Sequence, residues 1–241
     1  AEDYGINFSV ENVGKAWLDY LPYACTAEEV ALKNLREGVD PLKAGEKNNP
    51  YREWIGADIR SDPWGYMAPG SPEKAAAMSY HDAYISHRRQ GVYGEMFFSA
   101  VIAAALVVDD PIKAVKIGLT EIPEECALTE AINWALNKAP EINNYREARE
   151  AVEKRFKGMH KVHTINNACL TIFGLTIGGL DFTRVIGETV AMGMDNDCTA
   201  ATAGSIIGAI IGKDQLPEFW YKNFNDTVYT YLKGEEEFRI S

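Results

Sequence analysis

The spacing of apolar residues predicts helices along almost the whole chain. Apolar positions recur every three or four residues, which is the period of an amphipathic helix. Polar capping residues, prolines at first helical positions and glycines after last ones mark the predicted ends. The predicted helices cover residues 9–20, 26–36, 71–89, 96–108, a short stretch from 110, 125–137, 145–156, 163–175, 182–192, 199–211 and 219–232.

The helix starts carry specific signals. Ser9 is a predicted N-cap with an acid in the following turn, Asp110 precedes Pro111, and Asp181 precedes an apolar run. Thr26 opens a Thr-Ala-Glu-Glu segment with the capping-box pattern. Because no convincing alternating strand pattern and no repeat is found, we predict an all-α fold, with residues 1–241 as a single domain.

Three segments interrupt the helices. Residues 39–52 form a long polar stretch that predicts a functional loop. Residues 56–66 mix glycine, charge and aromatic side chains, as suits a loop that lines a pocket. Residues 91–95 are predicted to break a helix, and Gly94, between Tyr93 and Glu95, would let the backbone approach a ligand. The alternative for these residues is an ordinary turn between helices.

Charge and composition exclude some classes of protein. The net charge of −11 disfavours general nucleic-acid binding, because an acidic surface repels phosphates. No uninterrupted apolar run reaches the roughly 18 residues of a membrane span. The 4 cysteines are scattered without a Cys-x-x-Cys pair, which predicts a reduced, cytoplasmic protein without zinc. The oligomeric state is not predicted.

The segment 193–204 carries the best candidate for metal chemistry. Asp195 and Asp197 stand two residues apart before a helix rich in glycine and alanine. In a turn, both carboxylates can converge on one cation, and hard oxygen ligands suit Mg²⁺, Mn²⁺ or Ca²⁺. The alternative is that both residues merely cap the following helix. Gly204, Gly208 and Gly212 form a smooth stripe on that helix, which predicts close helix packing.

The histidines do not form a zinc motif. His87 lies six residues after His81, so the pair lacks the i, i+4 spacing of zinc ligands on a helix. We predict a hydrogen-bonded histidine of the core or of the cleft.

Taken together, these stretches resemble the ADP-ribosylglycohydrolase family, in particular a bacterial branch with an Asp-x-Asp-Cys motif. The resemblance covers about residues 9–234, and its most specific part is the Asp-x-Asp motif followed by the glycine helix. The segments that carry it are Gly56-Ala57-Asp58-Ile59-Arg60-Ser61-Asp62-Pro63-Trp64-Gly65-Tyr66, Ser86-His87, Gly91-Val92-Tyr93-Gly94-Glu95-Met96-Phe97, His163-Thr164 and Gly193-Met194-Asp195-Asn196-Asp197-Cys198.

The resemblance implies a single orthogonal multi-helix domain with a binuclear site for Mg²⁺, or alternatively Mn²⁺, in a cleft. Enzymes of this family hydrolyse the bond between ADP-ribose and a protein side chain or small acceptor. Asp195 and Asp197 match catalytic, metal-binding positions of the family. Cys198 stands where the family has a threonine ligand, and a thiol is a poor ligand for Mg²⁺. The resemblance therefore implies either that one metal site is weakened or that Thr199 or water takes the place of the threonine.

The resemblance also implies metal ligands from an N-terminal Gly-Asp motif and a Thr-Asp-Asp type motif. Neither motif is found in this chain, and Asp109-Asp110 is interpreted as a helix cap. We therefore expect that the N-terminal segment of the family domain is lacking here.

The resemblance also implies which residues contact the substrate, according to their positions in the matching segments. Arg60 or the backbone at Gly65 would meet the diphosphate, and Tyr93 would stack on adenosine beside Gly94. Glu95 would be a base or a structural carboxylate, and His87 is a further candidate contact. The expected partner is an ADP-ribosylated protein or a small molecule that contains ADP-ribose. The alternatives are a catalytically incomplete protein that binds ADP-ribose or a nucleotide, and a hydrolase of a free nucleoside or an ADP-ribose derivative.

Overall fold

A computed structural model describes residues 3–240, and in this range helices are the predominant structure, which confirms the predicted all-α fold. The helices are α1 (Val10–Tyr20), α2 (Thr26–Arg36), α3 (Pro41–Ala44), α4 (Asp62–Met67), α5 (Pro72–Tyr84), α6 (Gln90–Ala105), α7 (Pro111–Gly118), α8 (Ala127–Lys138), α9 (Tyr145–Arg155), α10 (Thr164–Gly178), α11 (Phe182–Met192) and α12 (Asn196–Ile211). Two strands, β1 (Thr227–Leu232) and β2 (Glu235–Arg239), form an antiparallel hairpin.

Side chains close several helix starts as the sequence predicts. Ser9 and Asn12 form a reciprocal capping box at α1. Asp110 accepts hydrogen bonds from two backbone N–H groups of α7, and Asp181 accepts one from the backbone of Arg184 in α11. Such caps satisfy donors that a helix leaves unpaired in its first turn. At α2 the prediction is wrong in detail, because Cys25 occupies the cap position and no side chain bonds there.

Two apolar helices form the centre of the molecule. Nearly every residue of α6 and α10 is buried, as expected for helices that are hydrophobic on all sides. Phe97 and Phe98 of α6 and Phe173 of α10 are among the largest side chains that are fully buried. Helices α7, α8, α9, α11 and α12 surround them in the main hydrophobic cluster. A second cluster holds α1, α2 and α5 against the other side of α6.

The glycine stripe of α12 packs closely on α11, as predicted. A Cβ atom added at Gly204 would lie 2.9 Å from Ile186, and one at Gly208 would lie 3.7 Å from Phe182. Gly212 has a different role, because it ends α12 with a φ of +71°. The middle of helix α12 thus lies close to α11.

The predicted helix break at residues 91–95 is wrong. Helix α5 ends at Tyr84, and α6 begins at Gln90 and runs without interruption through Gly94. The chain reverses instead at residues 85–89, where Arg89 has a φ of +51°. The glycines mark places where other groups pass close to the helix: a Cβ atom at Gly91 would lie 2.6 Å from the carbonyl oxygen of Arg52.

The predicted helix 219–232 is also wrong. After α12 the chain makes short 3-10 turns and then forms the hairpin of β1 and β2. The segment Thr-Val-Tyr-Thr-Tyr-Leu is rich in β-branched and aromatic residues, which favour strands, and Gly234 at φ +78° closes the turn. No residue of the hairpin belongs to either hydrophobic cluster described above.

The stretch 56–66 is helical rather than a loop. A 3-10 turn covers Ile55–Arg60, and α4 follows directly. Most of the polar stretch 39–52 is irregular, apart from the single turn of α3. Among the described helices, none combines the length and the apolar character that crossing a bilayer requires.

Candidate functional site

The Asp-x-Asp segment is a tight turn between α11 and α12. Gly193 and Met194 both adopt positive φ, +70° and +64°, so the chain turns sharply before Asp195. A left-handed conformation is uncommon for a residue other than glycine, and such strain collects at functional sites. Asp195 occupies the N-cap position of α12, yet its side chain makes no capping hydrogen bond. The Asp195 carboxylate therefore does not act as the cap of α12.

Polar side chains from neighbouring helices hold this turn. Asn167 of α10 accepts a hydrogen bond from the backbone N–H of Asp195 at 3.1 Å. Arg149 of α9 donates to the carbonyl oxygen of Met192 at 2.6 Å, at the end of α11. Asn196 donates to the carbonyl oxygen of Val190. The backbone of the turn is thus fixed from three sides, while the two aspartate side chains extend from it.

The side chains of Asp195, Asp197 and Cys198 form a compact cluster. One potential ligand atom from each lies within 4.8 Å of the other two. Asp195 is half-buried, Asp197 is exposed and Cys198 is buried. Burial, a hydrogen bond to Asp195 and the neighbouring carboxylates raise the pKa of the Cys198 thiol far above its usual range. The thiol therefore stays protonated and donates to the Asp195 carboxylate.

Asp58 is the site residue that sequence reasoning missed. Its side chain is completely buried, and neither carboxylate oxygen has a hydrogen-bond partner. Burial, followed by the charge of Asp195, raises its pKa well above the usual value. The charge of Asp195 thus reaches Asp58, although 137 positions separate the two residues in the chain. A buried unpaired carboxylate is costly and calls for a compensating partner.

The 3-10 turn Ile55–Arg60 positions Asp58 against α6 and α10. A Cβ atom added at Gly94 of α6 would collide with the Asp58 carboxylate and would lie 2.7 Å from Thr164 of α10. Gly94 thus makes room for an acidic side chain of the same protein rather than for a ligand. Four residues later, Asp62 forms a hydrogen bond with Ser205 of α12, so this stretch lies along the helix that begins at the Asp-x-Asp turn.

Arg60 lies at the centre of a buried ionic network. Its guanidinium donates to Asp82 at 2.9 Å and to Glu28 at 2.8 Å, and it lies 3.5 Å from Glu95. It also contacts the Ser86 hydroxyl at 3.3 Å. Burial, followed by the charge of Asp82, raises the pKa of Glu95 well above the usual value, and the charge of Arg60 opposes this shift. Because its donor groups are occupied within this network, Arg60 is not free to bind a diphosphate, and that predicted role finds no support.

The remaining predicted substrate contacts lie away from the cleft described below. His87 and Glu95 are fully buried, and burial lowers the pKa of His87 well below its usual value. Gly65 packs against Ile102 of α6 and Ser99, and Tyr93 packs against the main hydrophobic cluster. These residues are part of the packed structure around the site and do not line the cleft. The prediction of a core histidine at position 87 agrees with its position.

A cleft of about 850 Å³ opens beside the cluster. Asp195 and Cys198 lie on its floor together with Gly56, Ile59 and Arg60, so part of the predicted pocket-lining stretch does line it. The walls come from α1, from the loop that leads into α2, and from the C-terminal hairpin. Their lining residues include Trp17, Tyr20, Tyr23, Cys25, Trp54, Tyr231, Leu232 and Phe238.

These residues fit a hard divalent cation. Asp195 and Asp197 offer carboxylate oxygens, which are the ligands that Mg²⁺ and Mn²⁺ prefer. Asp58 lies outside that compact cluster and offers two further oxygens without partners. Cys198 is the exception, because a protonated thiol is a poor ligand for these ions. Thr199 is fully buried, and its hydroxyl lies 3.5 Å from the carbonyl oxygen of Asn196.

Comparison with known proteins places the chain in a family. A family model described as ADP-ribosylglycohydrolase matches residues 3–236. Neither the curated proteins nor the solved structures that were compared with the chain gave a match. The family match covers almost the whole sequence, and the all-α architecture agrees with it. The chain therefore belongs to the ADP-ribosylglycohydrolase family.

Proposed function

We propose that this protein hydrolyses the glycosidic bond of an ADP-ribosyl group at a metal site formed by Asp58, Asp195 and Asp197. The observation that carries the proposal is the Asp58 carboxylate, which is buried and unpaired, and whose pKa is raised in part by the charge of Asp195, a residue that lines the open cleft. Family membership supports the general activity. Membership alone assigns neither the metal nor the scissile linkage.

The three aspartates differ in how firmly they are held. Asp58 is enclosed between α6 and α10, and Asp195 is fixed through Asn167 and the Cys198 thiol. Asp197 is exposed, and one of its oxygens lies within 4.8 Å of ligand atoms of Asp195 and Cys198. A divalent ion bound by these carboxylates would supply Lewis-acid polarisation of oxygen atoms at the reacting ribose.

The other residues of the cleft orient the substrate and limit the access of water. Trp54 and Ile55 provide an apolar wall next to Asp195, where the reacting carbon would be sheltered. In the overall reaction the oxygen of water bonds to the ribose C1″ atom, and the bond from C1″ to the acceptor breaks with its electron pair on the acceptor atom. One proton from the water then balances the acceptor.

The proposal is tested by replacing single carboxylates with amides. We expect Asp58→Asn, Asp195→Asn and Asp197→Asn each to weaken Mg²⁺ binding in calorimetry and to reduce release of ADP-ribose from arginine- and serine-linked substrates at least about tenfold. Asp181→Asn is the matched control, since it changes an acid to an amide at a helix cap that does not line the cleft. Unchanged Mg²⁺ binding and turnover in Asp195→Asn would refute the site.

The alternative is a protein that binds ADP-ribose without cleaving it. The Cys198 thiol favours this alternative, because it stands in the cluster where a hydroxyl ligand is expected. The same experiment separates the two functions, since saturable ADP-ribose binding by the wild-type protein without product release indicates a binding protein. Cys198→Thr would then restore turnover.

A further inference from the structure

The cleft beside Asp195 offers no free cation for a diphosphate. Arg60 is the single Lys or Arg among its described lining residues, and its guanidinium is held by Glu28, Asp82 and Glu95. In the proposed function, the cation bound by the aspartates acts on the reacting ribose. The diphosphate of an ADP-ribosyl group therefore lacks a positively charged partner among the side chains of this cleft.

A second cleft, of about 720 Å³, shares Trp54 with the first. Ile55 and Val162 line the first cleft, and their neighbours in the chain, Glu53 and His163, line the second. The backbones of Trp54 and His163 form an antiparallel bridge. The two clefts thus meet at Trp54, where the segment before α10 is joined to the segment before the 3-10 turn of Asp58.

Arg52 is the cation of the second cleft that has no partner. It is partly buried, and its guanidinium forms no hydrogen bond or ion pair with any residue that the structure describes. The two carboxylates of this cleft have cations of their own, because Glu46 lies 4.0 Å from Arg88 and Glu53 lies 3.9 Å from Arg89. An arginine without such a partner suits a phosphate group, which accepts two parallel hydrogen bonds from a guanidinium.

His163 supplies a second donor in this cleft. Its Nδ1 atom accepts a hydrogen bond of 3.2 Å from the backbone N–H of Ile165, so the neutral ring carries its proton on Nε2. Burial lowers the pKa of His163, which favours the neutral ring at pH 7. The Nε2–H group can therefore donate to an oxygen atom of a ligand.

We propose that the second cleft binds the diphosphate of the ADP-ribosyl group through Arg52 and His163, while the reacting ribose lies beside Asp195. This inference rests on the proposed glycosidic hydrolysis and adds a site for the part of the substrate that does not react. Binding at such a distant part helps to hold the reacting carbon at the metal. The volume of the second cleft is sufficient for a diphosphate.

Arg52→Gln tests the inference with two ligands that differ only in the diphosphate, ADP and adenosine. In calorimetry with the full chain at a fixed concentration of free Mg²⁺, we expect the wild type to bind ADP at least about tenfold more tightly than adenosine. Arg52→Gln should reduce this ratio at least about fivefold, because one charged donor is lost. A wild type that binds ADP no better than adenosine, or an unchanged ratio in the variant, would overturn the inference.

Two further variants locate the source of the affinity. Arg184→Gln removes the same charge at an exposed position that lines neither cleft, and it should leave ADP binding unchanged. Arg52→Lys keeps the charge but lacks the paired donors of a guanidinium, so an intermediate loss is expected. If Arg184→Gln weakens ADP binding as much as Arg52→Gln does, the general charge of the protein is responsible and the inference fails.

Cleavage of ADP-ribosyl-arginine distinguishes this inference from the proposed function. If Asp195→Asn loses turnover while Arg52→Gln binds ADP as the wild type does, the glycohydrolase proposal stands and the phosphate site fails. If Arg52→Gln weakens ADP binding while Asp195→Asn keeps full turnover, the phosphate site stands and the metal site fails. If Arg52→Gln weakens only the binding of an unmodified arginine peptide, the second cleft holds the acceptor, and the inference is overturned.

Discussion

The side-chain oxygen of Asn167 accepts a hydrogen bond of 3.1 Å from the backbone N–H of Asp195, and this bond ties the start of α10 to the Asp-x-Asp turn. Asn167 is fully buried, and its amide group also donates to the carbonyl oxygens of Lys161 and His163 at 2.8 and 2.9 Å. A single side chain therefore connects the segment that precedes α10 to the turn that carries the candidate metal ligands.

We expect Asn167→Ala to impair Mg²⁺ binding and catalysis more than it impairs the stability of the fold. Loss of the bond leaves the Asp195 backbone free to move, so we expect Mg²⁺ affinity and kcat to fall on the order of tenfold, as for other residues that orient ligands. The buried carbonyl groups left without donors should cost about 1–3 kcal/mol of stability. Calorimetry, steady-state kinetics and urea unfolding measure these effects.

Asn34→Ala is the control for this substitution. Asn34 is also buried and its amide donates to the carbonyl oxygens of Ala44 and Lys47, and neither bond reaches Asn167 or Asp195. A similar stability loss with normal Mg²⁺ affinity is expected. Equal losses of affinity in both variants would show that general destabilisation, rather than the Asp195 contact, is responsible.

Arg60→Met should destabilise the protein strongly. The substitution removes the cation from among Glu28, Asp82 and Glu95, and breaking a buried ion pair on one side typically costs about 3–5 kcal/mol. Arg60→Lys keeps the charge but cannot reach several carboxylates with one compact group, so an intermediate loss is expected. Arg155→Met, which breaks an exposed pair with Glu130, should cost less than about 1 kcal/mol in the same denaturant titration.

Asp62 should make stability fall as the pH rises. Burial raises its pKa to about 6, whereas hydrogen bonds to Ser205, Ser61 and Tyr66 lower it less. Since the folded-state pKa lies above the unfolded value, the folded protein binds the proton more tightly. The stabilisation of the folded state by this proton is fully present below about pH 4 and is lost as the pH rises through about 6.

Asp62→Asn should therefore unfold at a higher temperature than the wild type at pH 7–8, by an amount that corresponds to at most about 3 kcal/mol. Its melting temperature should also change less between pH 4 and 7. Asp214→Asn, at an exposed turn, is the control for the loss of one carboxylate. A parallel pH dependence of the wild type and Asp62→Asn would contradict the assignment.

Gly94→Ala should disturb the site through Asp58. The added methyl group has no space beside the Asp58 carboxylate, so either this side chain or α6 must shift. We expect lower stability and weaker Mg²⁺ binding. Gly187→Ala is a suitable comparison, because a Cβ atom there meets nothing within 4 Å in another helix. Alanine at that position should be tolerated in thermal unfolding.

Local patterns were sufficient to predict much of this fold. The helices that begin at Ser9, Asp110 and Asp181 follow from short-range capping and apolar spacing, which are encoded within one or two turns. Gly94 shows where such reasoning fails, since a glycine in a sequence suggests a break, whereas here it marks a close approach inside a helix. The hairpin was missed because its aromatic residues also fit an amphipathic helix.

The candidate site could be predicted only in part. The Asp-x-Asp motif is contiguous, so its two carboxylates are visible in the sequence. Asp58 has no such local signature, because its burial and its proximity to Asp195 arise from the packing of α6, α10 and α12. The ionic network of Arg60 could not be predicted for the same reason, since its partners Glu28, Asp82 and Glu95 are distant in the chain.

The hairpin of β1 and β2 helps to shape the cleft but is not part of the hydrophobic core. It contributes Tyr231 and Phe238 to the cleft wall, yet it lies outside both hydrophobic clusters and is joined to the body by the Tyr23 stack and by a bond from the Lys233 backbone to Tyr20. Residues 227–239 can therefore be exchanged at little energetic cost to the helical core. For protein engineering, the hairpin is therefore a segment that can be replaced to vary substrate choice while the aspartates of the candidate site keep their positions.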